Sequence, residues 1–216
     1  FGDMRAYAFS VSASGTIAYW SGPYQQVTQL TWFSRAGQRL GTVGEPGEYT
    51  GFALSPTHQH VILERYDPKL GEVNLWLLDT TTNLGSKFTS GLGQHRDHPA
   101  GTPVWSPAGD RVLFATFPGL AAQSLRGGDS EKLFDDFGWL SDISPDGRFA
   151  LFRKIDPVTN SDLWLLPLAG EKTPKPFLVS KQSELAGRFS PDGRWVAYVS
   201  NESGREEVYV QSFRCI

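Results

Sequence analysis

The sequence predicts an all-β fold assembled from repeats, and three observations carry that expectation. A Ser-Pro corner leading into an apolar strand recurs at Ser55-Pro56, Ser106-Pro107, Ser144-Pro145 and Ser190-Pro191, with prolines 51, 38 and 46 residues apart. A strand marked by an aromatic residue follows the turn at near-constant distance: Trp32, Trp76, Trp164 and Tyr209 stand 16 to 18 residues beyond it. Glycine (23) and proline (14) are abundant and 13% of residues are aromatic, as short, well-packed strands joined by tight turns require. Five units with a period of about 43 residues use up the chain, which is the period of four-stranded blades. The expected architecture is a five-bladed β-propeller of mostly four-stranded antiparallel blades in a single domain over 1–216, with a fragment of a six- or seven-bladed propeller as the alternative.

The units are placed at 6–44, 49–90, 102–135, 139–180 and 186–213. The first has a weak corner, Ala13-Ser14-Gly15, between strands 7–12 and 16–20, then strands 29–34 and 39–43. The second repeats this order at 49–54, 60–65, 73–78 and 86–89, and its loop 66–71 is long and polar enough to project. The third is irregular: Pro118-Gly119 shortens the connection after 111–117, which accounts for the 38-residue spacing. The fourth offers strands 139–143, 148–154, 162–166 and 176–179. Its loop 155–161 shares an Asp-Pro pair with the second unit's loop. The fifth offers 186–189, 194–200 and 207–211, with little sequence for an outer strand. Pairing of 1–5 beside it, or self-association with another chain through open blade edges, would fill that place.

The corner has a direct cause. Proline presets φ, aspartate bonds its own backbone, and glycine accepts a left-handed conformation, so Ser-Pro-Asp-Gly makes a hairpin and does no chemistry. The serine before each proline is expected to bond locally to the turn, and the aromatics of the third strands to pack between blades.

Composition narrows the function classes. With 20 basic and 23 acidic side chains the net charge is -3, and no basic stripe invites a nucleic acid. No run of about 18 apolar residues exists to insert in a membrane. The single cysteine, Cys215, excludes an intrachain disulfide. The opening F-G-D-M has neither an initiator methionine nor a targeting segment, so the chain reads as a fragment or processed chain of open cellular address. No nucleotide-binding, kinase, zinc-protease or hydrolase motif is present, and no cofactor is expected.

The loops leading into first strands and those joining second to third strands share one face of a propeller. That face is expected to carry Tyr66, Asp67, Arg96, Asp97, His98, Asp136, Trp139, Asp156, Asn160, Asn201, Glu202 and Arg205. Mixed charge with aromatics suits a protein or peptide partner. His95, Asp97 and His98 form a weak metal candidate, as does the pair His58 and His60. A propeller enzyme of glycosidase or lyase type would instead need carboxylates, or a carboxylate and a histidine, facing one cleft, with Asp97, His98, Asp136 and Asp156 as candidates.

The pattern W/F-S-P-D-G-R, an apolar strand, then L-W/Y-x-L/V resembles the WD40-like, TolB-type propeller repeat over nearly the whole chain. D-L-W-L-L-P-L at 162–168 and the run 187–213 are similar to the propeller region C-terminal to the kinase domain of some bacterial serine/threonine kinases. That resemblance implies a non-enzymatic sensor or interaction module. Related propellers also precede the hydrolase domain of prolyl-oligopeptidase-like enzymes, which implies an accessory role instead. Thr57-His58 and Ala108-Gly109 depart from the Asp-Gly pattern, and the third unit lacks the aromatic mark.

Overall fold

Antiparallel ladders of short strands make up the fold. The structure, a computed structural model, describes residues 9–11, 17–19, 27–67, 69, 71–90, 92 and 101–213. The chain forms two compact units, Phe1–Pro103 and Val104–Ile216.

In the first unit β1 (Phe9–Val11), β2 (Ile17–Tyr19), β3 (Thr28–Phe33) and β4 (Arg39–Gly47) form one sheet in sequence order. A second sheet contains β5 (Tyr49–Leu54), β6 (His60–Asp67), β7 (Glu72–Asp79) and β8 (Gly85–Lys87), again in order. Val43, Leu30 and Trp32 of the first sheet pack against Val61, Leu63, Leu78 and Trp76 of the second.

The third sheet consists of β9 (Gly101–Trp105), β10 (Arg111–Thr116), β11 (Gly119–Ser124) and β12 (Glu131–Phe134). The fourth contains β13 (Trp139–Ile143), β14 (Phe149–Asp156), β15 (Asn160–Pro167) and β16 (Lys175–Leu178). The fifth has β17 (Glu184–Phe189), β18 (Trp195–Ser200) and β19 (Glu207–Ser212). Four sheets are therefore complete four-stranded blades, and the expectation of five blades is corrected: among the described residues the fifth sheet has three strands. Residues 1–5, expected to pair beside it, lie outside the described residues.

The fourth sheet shows how a blade is held. Alternation along its strands sends Leu140, Ala150, Phe152 and Leu166 to one face, against Leu113, Ala115, Leu120 and Ala122 of the third sheet, with Trp164 beside them. Phe149, Leu151, Leu163 and Leu165 point the other way, against Val196, Tyr198 and Phe213 of the fifth. Leu151, Phe152 and Leu163 are fully buried, each worth roughly 1.5–3 kcal/mol of transfer free energy. The third-strand aromatics Trp32, Trp76, Trp164 and Tyr209 all sit against these inter-sheet clusters, as the constant spacing implied.

The corners behave as their residues dictate. Ser144 Oγ donates to Asp146 Oδ1 at 2.6 Å and accepts from the Phe149 amide at 2.9 Å, while Gly147 takes φ +71°. Ser190, Asp192, Trp195 and Gly193 repeat every one of these contacts. In the second sheet His58 stands where glycine would, at φ 62°, and the Ser55 hydroxyl still accepts from the His60 amide at 3.1 Å. A bulge recurs in the first strands, between Tyr49 and Gly51, Leu140 and Asp142, and Leu185 and Arg188. It re-aims the start of each strand, where the candidate site lies.

Candidate functional site

In the second and fourth sheets, charged side chains that interrupt the repeat gather at the end opposite the Ser-Pro corner. In the second unit that end is built by the start of β13 and β17, the end of β14, the start of β15 and the loops between them. Register places Trp139 beside Arg153 and Lys154 beside Asp162. Arg153 is buried and its guanidinium lies 4.0 Å from the Trp139 ring centroid. Burial pulls its pKa down, and the indole face offsets part of the desolvation of the cation.

Lys154 extends over the Trp164 ring at 5.8 Å and pairs with Asp136 at 2.6 Å. The Lys154 ammonium, then the Phe137 amide, hold the Asp136 carboxyl below the usual range. Phe137 stands edge-on to Trp139 at 4.3 Å, and the exposed Phe117 stands edge-on to Phe137 at 6.0 Å. Aromatic rings in this geometry leave an apolar rim next to a neutralised charge pair.

Two buried carboxylates lie further along the same end. Asp162 accepts from the Thr159 hydroxyl at 2.6 Å and Glu184 from the Ser180 hydroxyl at 2.7 Å. Among the described residues their second oxygens, Asp162 Oδ1 and Glu184 Oε2, have no hydrogen-bond partner. Burial raises the Glu184 pKa, and the charges of Asp162 and Glu202 push the same way.

In the first unit Glu64 occupies the β6 position that Arg153 occupies in β14, counted from the corner. It is buried, and the Thr102 amide donates to its Oε2 at 3.2 Å. Burial pushes the carboxyl up to about 7, against the pull of the Thr50 side chain and the Thr102 amide.

The predicted site residues divide by role. Asp136 and Trp139 are brought together with Arg153 and Lys154. Asp67 and Asp156 each cap their loop through one oxygen: Asp67 Oδ1 accepts from the Lys69 amide at 2.9 Å, and Asp156 Oδ1 from the Val158 amide at 2.8 Å. The shared Asp-Pro pair thus records a turn. Asn160 takes φ 72° where that turn re-enters the sheet. Tyr66 is half-buried at the end of β6, its amide donating to Glu48 O at 3.1 Å.

Asn201 Oδ1 accepts from the Ser183 amide at 2.9 Å and so ties two loops of the fifth sheet. Glu202 lies close enough to Glu184 to raise its pKa. Arg205 Nη2 pairs with Glu207 Oε1 at 2.6 Å on the surface. His95, Arg96, Asp97 and His98 lie outside the described residues. His60 Nε2 is 3.9 Å from Asp79 Oδ2, and among the described residues no group of three or more His, Cys, Asp or Glu is arranged to hold a metal ion. No described helix is long and apolar enough to cross a membrane.

Glu64, Arg153, Lys154 and Asp162 were not anticipated as site residues. For Glu64, Arg153 and Lys154 the signal was present, because V-I-L-E-R and L-F-R-K each break an apolar strand with charge at the same place after the corner.

No protein-family model matches the sequence, and no curated protein matches it significantly. Solved structures do. TolB from Acinetobacter baumannii is 16% identical with a TM-score of 0.76, the match covering 95% of this chain and 51% of that one. A TolB from Agrobacterium tumefaciens, described as putative, is 18% identical with a TM-score of 0.73, covering 95% of this chain and 79% of that one. The Cps50 (Swd1) β-propeller domain of Myceliophteria thermophila is 18% identical with a TM-score of 0.61, covering 95% and 68%. The chain thus spans about half the length of the Acinetobacter protein. At these identities the likeness shows the fold, an all-β propeller with four-stranded antiparallel blades.

Proposed function

We propose that this chain is a non-enzymatic interaction or sensor module, a β-propeller segment of a larger bacterial protein of the kind found beside kinase domains, which binds a peptide stretch of a protein partner. The observation that carries this reading is the aromatic rim Phe117, Phe137 and Trp139 beside the Asp136–Lys154 pair. Rigid aromatic faces flanked by charges that already have partners suit the core and rim of a recognition surface. Catalysis would need an acid, base or nucleophile held free toward a cleft, whereas Asp136 is paired with Lys154 and Asp156 holds its own turn through Oδ1.

Selection of 15-residue peptides from a random library on the 216-residue chain tests the reading. Peptides enriched on the wild type are expected to lose at least about tenfold in affinity to Phe117→Ala or Lys154→Ala chains, whose unfolding temperature stays unchanged. No enrichment, or unchanged affinity in both variants, contradicts it.

A further inference from the structure

The outer face of the fifth sheet carries an open apolar patch. Alternation and the β18–β19 register put Trp195, Ala197, Val199, Val208 and Val210 on one side, opposite the side whose Val196 and Tyr198 pack on the fourth sheet. Trp195 is 45% exposed, Val208 74% and Val210 63%. Valine side chains exposed this far, side by side on one sheet, form an apolar patch that water solvates poorly.

The chain itself shows what covers such a face. Counted from the corner, Trp195 and Ala197 correspond to Phe149 and Leu151 of the fourth sheet. Val208 and Val210 flank Tyr209 as Leu163 and Leu165 flank Trp164. In the fourth sheet all four of these positions are buried, because the next sheet in sequence lies on them and brings Val196, Tyr198 and Phe213. The edges differ in the same way. β16 hydrogen-bonds along β15 from Leu163 to Leu165, whereas among the described residues β19 pairs only with β18.

We infer that this face is a docking surface for one further blade of the same repeat, contributed by the same polypeptide. A segment like 169–213 would supply the outer strand that β19 lacks and then the sheet that covers Val208 and Val210. The β17–β18 register puts one charged side chain on this side, the exposed Arg188 beside Ala197, whose long stem can carry its guanidinium to the rim of such packing. The inference rests on reading the chain as a portion of a longer propeller protein, and failure of the peptide selection leaves it untouched.

The test joins a second copy of residues 169–213 directly after Phe213, which holds the place in the fifth sheet that Leu168 holds in the fourth, so the new junction follows the existing one in register. Val210→Cys is introduced once, in the original fifth sheet, and the 216-residue chain carrying Val210→Cys and Cys215→Ser is the reference. Labelling of the introduced thiol by a thiol reagent is expected to be fast in the reference monomer and at least about tenfold slower in the extended chain, with unfolding roughly 5 °C higher.

Equal labelling rates overturn the proposal, as does protection already present in the reference monomer. Protection that appears in the reference only as a dimer, and is lost on dilution, overturns it in favour of a second copy. Failure of the extended chain to fold also overturns it, since the added segment brings the same Val196, Tyr198 and Phe213 to the equivalent positions of the repeat.

Discussion

The fourth and fifth sheets start from nearly the same sequence, D-I-S-P-D-G-R-F-A-L-F-R and R-F-S-P-D-G-R-W-V-A-Y-V, and build the same corner with the same hydrogen bonds. Their third strands then meet different surroundings. Leu163 and Leu165 are buried between two sheets, whereas the equivalent Val208 and Val210 are exposed. Local chemistry therefore fixes the hairpin, while burial is conferred by the neighbour. One repeat can be a core in one copy and a surface in the next.

The sharpest way to break the comparison is to truncate equivalent positions. Leu163→Ala removes a fully buried side chain and should cost about 2–5 kcal/mol. Val208→Ala should change stability by no more than roughly 0.5 kcal/mol. Equal losses in urea melts would mean that the two faces are covered alike.

A second contrast sets Glu64 against Arg153, two buried charges at one place in the repeat. The folded-state pKa of Glu64 is raised from 4.5 to about 7, so the folded chain favours the protonated form. Its contribution is fully present below about pH 4.5 and is lost as pH rises through 7, roughly 3 kcal/mol in all. Glu64→Gln should be more stable than wild type at pH 8 and nearly equal at pH 4.5. A difference that does not depend on pH would refute the assignment.

Asp142 offers a smaller effect. Its two oxygens accept from the Ile143 amide at 2.9 Å and the Phe189 amide at 2.8 Å, tying the first strands of the fourth and fifth sheets. Asp142→Ala should cost about 1–3 kcal/mol by leaving these amides unpaired. Smallest of all, Ser144→Ala and Ser190→Ala each remove one corner hydroxyl and should cost about 1 kcal/mol. The buried Ser144 should lie at the upper end. A loss at Ser190 exceeding that at Ser144 would contradict the shared corner chemistry.

These contrasts also mark how far the sequence could be read. The corners were legible because Ser, Pro, Asp and Gly each act within five residues, and the third-strand aromatics because their spacing holds the register. The short third unit was legible from Pro118-Gly119.

What lay beyond the sequence depends on neighbours distant in the chain. The buried Arg153 meets the Trp139 ring, and the buried Glu64 meets the Thr102 amide, each a partner distant in the chain. Asp67 and Asp156, polar loop residues expected at a binding face, each turn one carboxylate oxygen to the backbone amide two residues on. Charge that interrupts an apolar strand, as at Glu64 and Arg153, is a separate signal that the sequence also carried.

Hydrogen exchange of the 216-residue chain tests the difference in cover most directly, by comparing amides of residues 163–166 in β15 with those of Glu207–Ser212 in β19. The account predicts exchange at least about a hundredfold slower in β15, which is paired on both edges and covered on both faces. Equal protection of the two strands would contradict it.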